Sequence, residues 1–232
     1  METMQDRVNR ETPPAPGGRR RWISYLVALV LAAGVGLGAH MALADTATPA
    51  GDGFTATSSS VSFKLSPIAT VTCTGSSMSS TVPVPPNNPT PAGLPVCGPI
   101  TIPTFTGCSA TAGAVTLDAT LTANGSWSYC LSNTGTGQLI IPKNSIAIVA
   151  GPCRGTFTPD GPVTISGTWT NGTSATSPNP ANPPSKVAFT NVSVPLKTTG
   201  GFPCPAATSG SLSATFEVVD TTNASAAITI GP

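Results

Sequence analysis

Ala-Val-Thr-Leu-Asp-Ala-Thr-Leu-Thr-Ala (114–123), then Asn124-Gly125, then Ser-Trp-Ser-Tyr-Cys-Leu (126–131) is the stretch whose reading decides the fold. Val115, Leu117, Ala119, Leu121 and Ala123 alternate with Thr116, Asp118, Thr120 and Thr122, which is the period of a half-buried strand. Asn124-Gly125 has the chemistry of a tight turn, because both residues tolerate the positive φ of a two-residue hairpin. The segment predicts an antiparallel hairpin.

Two registers of that hairpin have opposite consequences. With a two-residue turn, Trp127 and Tyr129 stand on the polar face beside Thr120 and Asp118, an exposed aromatic platform for a sugar ring or partner surface. With a bulge at Gly125, both aromatics turn inward. Burying them gains a few kcal/mol of apolar transfer, so the inward register is preferred. Trp127 and Tyr129 are the candidate binding residues of the other register.

Outward from this hairpin the same alternation recurs. Val61–Leu65, Ile68–Cys73, Ile100–Thr106, Val163–Trp169, Val187–Leu196, Leu212–Val219 and Ala226–Ile230 read as strands. Leu139–Ile141 and Ile146–Val149 flank Pro142-Lys143-Asn144 as a second hairpin. The Pro-rich stretches 82–89 and 177–184 read as loops, since proline cannot donate to a sheet ladder. No segment after residue 45 has a helical period. About ten short strands predict an all-β, disulfide-stapled antiparallel sandwich, Ig-like or Greek-key, with a barrel as the alternative. Leu117–Leu121, Ile165–Trp169 and Leu212–Phe216 share one apolar, polar, small, Thr, apolar pattern. Either a duplication or the common grammar of Thr-rich strands accounts for it.

The N-terminus predicts export. Arg19-Arg20-Arg21 precede a run without charge from Trp22 to Ala44, and Ala42-Leu43-Ala44 before Asp45 fits a signal-peptidase site. Residues 1–44 therefore read as a signal peptide or, uncleaved, as an anchor through residues 22–44 with the C-terminus outside. Residues 45–60 are small and polar and read as a flexible spacer, leaving 61–232 as one all-β domain. All six cysteines (Cys73, Cys97, Cys108, Cys130, Cys153, Cys204) lie beyond the leader, which predicts three disulfides of undecided pairing.

Phe105-Thr-Gly-Cys108, Asn124-Gly-Ser-Trp127, Gly151-Pro-Cys153 and the following Gly161-Pro-Val-Thr-Ile165 run resemble small exported β-rich proteins of high-GC Gram-positive bacteria. The resemblance spans roughly residues 60–230. It implies export and an all-β fold, and it carries over no activity or functional residue.

Composition narrows the chemistry. His40 is the only histidine and lies in the leader, which leaves no His-based nucleophilic or zinc site in residues 45–232. Six acids (Asp45, Asp52, Asp118, Asp160, Glu217, Asp220) face five scattered bases (Lys64, Lys143, Arg154, Lys186, Lys197), without a basic footprint for nucleic acid. A carboxylate pair or a Ser–Lys dyad has no support in spacing. A Lys–Asn isopeptide bond would need Lys64 or Lys197 buried beside Asn191 and an acid such as Glu217. The expectation is an exported, non-catalytic structural or binding module without metal or cofactor. Its partners would be cell-wall polysaccharide or envelope proteins, with membrane contact only through residues 22–44. A barrel holding an apolar ligand is the alternative.

Overall fold

The computed structural model describes residues 44–66, 69–174, 183–200, 204, 206–223 and 225–232. Residues 1–43 of the leader lie outside them, as does most of the second Pro-rich loop. Among the described residues fifteen strands are present: β1 (Thr46–Thr48), β2 (Gly53–Ser58), β3 (Val61–Ser66), β4 (Ala69–Thr81), β5 (Val96–Ile100), β6 (Thr104–Ala112), β7 (Val115–Ala123) and β8 (Trp127–Leu131). They continue with β9 (Thr136–Ile141), β10 (Ile146–Ala150), β11 (Cys153–Phe157), β12 (Val163–Thr170), β13 (Ser185–Thr199), β14 (Ser209–Asp220) and β15 (Thr229–Gly231).

The pairing closes on itself. β3, β4, β6, β7, β10, β11, β13 and β14 pair antiparallel in that order, and β14 returns to β3. All-β character and disulfides hold as expected. The sandwich does not, because this ring leaves no free edge between two sheets. The strands are also more numerous and longer than expected, β13 running fifteen residues and β4 thirteen.

Length lets four walls continue beyond that first ring. β2 extends β3 along the same neighbours, β14 and β4, with Ser59-Ser60 bent between them. The other end of β13 pairs with β12, then follow β9, β8 and β5. β5 reaches β4 again, where Thr101 N–H donates to Ser79 O and Ser80 Oγ to Pro99 O. This second group, stacked end to end on the first ring, shares one continuous core with it. Sidedness is kept by local irregularity. Phe54 and Ala56 point inward from β2, Val61 and Phe63 from β3, and the even-to-odd change falls at the bend. β13 makes the same change through a bulge between Phe189 and Val192.

The central hairpin of the sequence reading is absent. β7 pairs with β6 and β10, whereas β8 pairs with β5 and β9. Asn124-Gly125 is where the chain crosses from the first ring to the second group. Gly125 has φ +84 but Asn124 is not left-handed, so the type I′ turn is not formed. The Asn124 N–H is taken by Ser145 O instead, in the neighbouring crossing. Pro142-Lys143-Asn144 likewise joins β9 to β10, which do not pair with each other, so the second expected hairpin is also a crossing. The crossings knit into a belt at the waist. Asn144 N–H donates to Thr158 O and Thr158 N–H to Pro195 O, while buried Thr158 gives its hydroxyl to Pro142 O. Inside the belt, Phe63 packs against Phe105 at 5.7 Å and Phe157 at 5.0 Å between ring centroids.

Residues 45–60 are not a spacer. Ala47, Phe54 and Ala56 alternate inward and are buried, so β1 and β2 belong to the core. β1 pairs only with β15, and this two-stranded sheet is separate from the barrel wall.

Candidate functional site: the apolar mouth of the first ring

Trp127 and Tyr129 are 3% and 6% exposed, so neither forms a platform. The physical reason is the partner exchange: between β5 and β9, the β8 side chains that alternate with Ser128 point into the second group's core. Trp127 Nε1 donates to Asn124 O at 2.8 Å, and Tyr129 stacks edge-on against Phe54 at 5.4 Å. Burial pushes the Tyr129 phenol up to about 12. Both aromatics satisfy their polar ends internally and are structural.

The opening lies at the far end of the first ring. Two tight hairpins rise there. Ala112 pairs with Val115 around Gly113-Ala114, and Ala150 pairs with Cys153 around Gly151-Pro152. Gly113 (φ +60) and Gly151 (φ +54) take the left-handed first position that the strand twist requires, which only glycine adopts without strain. Below the tips is an apolar cavity of about 50 Å³, walled by Leu65, Val71, Ala110, Leu117, Ile148 and Ala150 among others. Its rim stays uncovered: Val115 is 49% exposed, and Leu117 and neighbouring Val149 are exposed as well.

Arg154, Cys153 and Cys204 bring ionisable chemistry to the rim. Arg154 is the only arginine after residue 44, and its guanidinium donates to Gly151 O and Cys153 O. Cys153 and Cys204 also line the cavity and are free thiols. A Cβ built on Gly200 would lie 3.2 Å from Cys153 Cα and 3.3 Å from Cys204 Cβ, so the two cysteines are close neighbours. Burial, and then the hydrogen-bonded Cys204 thiol, push the Cys153 thiol up to about 11, against the pull of Arg154. A thiol held protonated is a poor nucleophile.

Of the three disulfides expected, two are formed: Cys73–Cys108 joins β4 to β6, and Cys97–Cys130 joins β5 to β8. Each links directly opposed residues of paired strands. Lys64, Lys197 and Asn191 are all exposed, which removes the burial an isopeptide bond needs.

One pair of acids that sequence left scattered is brought together. Asp52 precedes β2 and Asp220 ends β14, and the Asp52 carboxyl lies within hydrogen-bonding reach of Asp220. Desolvation first, and then the Asp220 charge, hold the Asp52 carboxyl above the usual carboxylate range. Nothing local signals this, because the strand pairing alone joins positions so far apart in the chain. Among the described residues, no group of three or more His, Cys, Asp or Glu converges, and no helix is long and apolar enough to cross a membrane.

The molecule is thus a closed antiparallel β-barrel protein, stapled by two cross-strand disulfides, with an apolar opening at one end. No family model matches the chain, and neither the curated proteins nor the solved structures contain a match.

Proposed function

We propose that this chain is an exported, non-catalytic binding module of the cell envelope or its surroundings, and that it grips an apolar group at the mouth of the first ring. The observation that carries this reading is the uncovered apolar cavity between the Gly113-Ala114 and Gly151-Pro152 hairpins. Its size decides what it holds. About 50 Å³ is far below the roughly 300–1,000 Å³ of a site that encloses a drug-sized molecule. The mouth therefore takes the end of an acyl chain or one apolar side chain, and does not carry a whole lipid. Arg154 at the rim suits a ligand with an anionic group near that apolar end.

Export is supported by how the residue after the cleavage motif is used in the fold. Asp45, directly after Ala42-Leu43-Ala44, is buried; its carboxylate accepts Asn133 N–H and its carbonyl accepts Thr90 N–H. A fold engaged from that residue suits cleavage before it.

The test is binding of an anionic apolar fluorophore, anilinonaphthalene sulfonate, with competition by a medium-chain fatty acid. The expected result is saturable binding, displaced by the fatty acid and lost in Leu117→Glu, whose partly exposed side chain lets the fold survive. Binding unchanged in Leu117→Glu, or no binding, contradicts the reading.

A further inference from the structure

Asp220 is 3% exposed and ends β14 at the second group's end. Its Oδ1 accepts the N–H groups of Thr222 and Asn223, both at 2.8 Å, which fixes the turn after the strand. Its Oδ2 is buried and has no hydrogen-bond partner. An ionised oxygen in that position is costly unless an unseen positive group faces it. The group the protein brings within hydrogen-bonding reach of Asp220 is a second carboxyl, that of Asp52.

Gly53, next to Asp52, is also approached by oxygens. Gly53 N–H is held by Thr222 Oγ1 at 2.9 Å. A Cβ on Gly53 would come within 3.0 Å of Thr221 Oγ1, 3.5 Å of Thr222 Oγ1 and 3.9 Å of Ser80 O. The missing side chain lets two hydroxyls and a carbonyl crowd the residue next to Asp52. Two carboxyls in reach of each other, with hard neutral oxygens at the adjoining Gly53, match the ligand preference of a hard divalent cation, and nothing here suits a soft one.

We infer that Asp52 and Asp220, supported by the hydroxyls around Gly53, bind a divalent cation of the calcium type. The ion would supply the positive charge that Asp220 Oδ2 lacks and would tie the segment before β2 to the end of β14. With only two carboxylates, affinity belongs with extracellular modules, a Kd on the order of 10⁻⁴–10⁻³ M. Such a site fills only where calcium is abundant. This inference is independent of the mouth, which lies at the other end of the barrel.

The test compares thermal unfolding of the whole exported chain after chelation and with calcium added back, in wild type, Asp52→Asn and Asp220→Asn. Asn at 220 keeps an oxygen for the two turn N–H groups, and Asn at 52 relieves the like-charge contact, so both variants fold. At about tenfold excess over Kd, calcium should raise the wild-type Tm by roughly 3–5 °C and leave both variants unmoved. Without calcium, Asp52→Asn should melt no lower than wild type. A wild-type Tm identical in chelator and calcium overturns the inference, because the two carboxyls would then lie together without an ion. Equal shifts in all three proteins overturn it too, because the ion would be acting elsewhere.

Discussion

At the second group's end the chain closes over the barrel with polar bonds, whereas at the first ring's end it stops at two short hairpins around an apolar gap. Closure is dense. The buried Asn88 amide accepts Ala47 N–H and donates to Ala47 O and Pro83 O, fixing the Pro-rich loop onto β1. Asn171 joins Trp169 Nε1 to the backbone N–H and C=O of Ile230 on β15. At the mouth, the corresponding surface is Val115, Leu117 and Val149, left in water. A small barrel gains stability by sealing an end, so an end left apolar and open is where function is to be sought.

The largest loss of stability is expected at the waist. Trp127→Ala removes a buried ring from between the two halves and should cost about 3–5 kcal/mol, measured by urea unfolding. Little loss would return Trp127 to the surface platform. Next comes the Cys73→Ser, Cys108→Ser double variant, which frees a loop of sequence separation 35 and should cost about 2–4 kcal/mol. Asn88→Ala should cost about 2 kcal/mol, because three backbone groups at the sealed end lose their partner. Leu117→Glu at the open end should cost less than any of these while abolishing ligand binding.

The smallest effect is a pH dependence at the mouth. The Cys153 thiol is raised from an ordinary 9.0 to about 11, so between those values the folded chain keeps a proton that the unfolded chain releases. Its contribution to stability is full below about pH 9 and is lost as pH rises towards 11. Tyr129, raised from 10.0 to about 12, acts in the same direction at slightly higher pH. The unfolding midpoint of the reduced protein should therefore fall across this window, and less steeply in Cys153→Ser.

Strands were legible in the sequence; their partners were not. The alternation of 115–123 is realised in β7, and the apolar residues of Val163–Trp169 do turn inward, since burial imposes a period of two whatever strand lies alongside. Asn124-Gly125 signals a change of direction, yet turn chemistry does not say which strand comes next. Here Ser145 on another crossing claims the Asn124 N–H, and the long-range contact wins. The real hairpin of this region, at Gly113-Ala114, carries the Gly-X signature of a type II′ turn and was readable. Leu117–Leu121, Ile165–Trp169 and Leu212–Phe216 fall in β7, β12 and β14, whose neighbours differ, so their shared pattern does not mark equivalent places. The mouth could not be read, because Leu65, Ala110, Leu117 and Ile148 converge only when the ring closes.

The measurement that tests the account most directly is a titration of the isotopically labelled protein with sodium octanoate, followed by amide chemical shifts. Shifts should saturate and cluster at 110–117, 148–155 and around Thr198, leaving Asn88 and Asn171 unmoved. Shifts concentrated at the sealed end, or none at any residue, would contradict a binding mouth on the first ring.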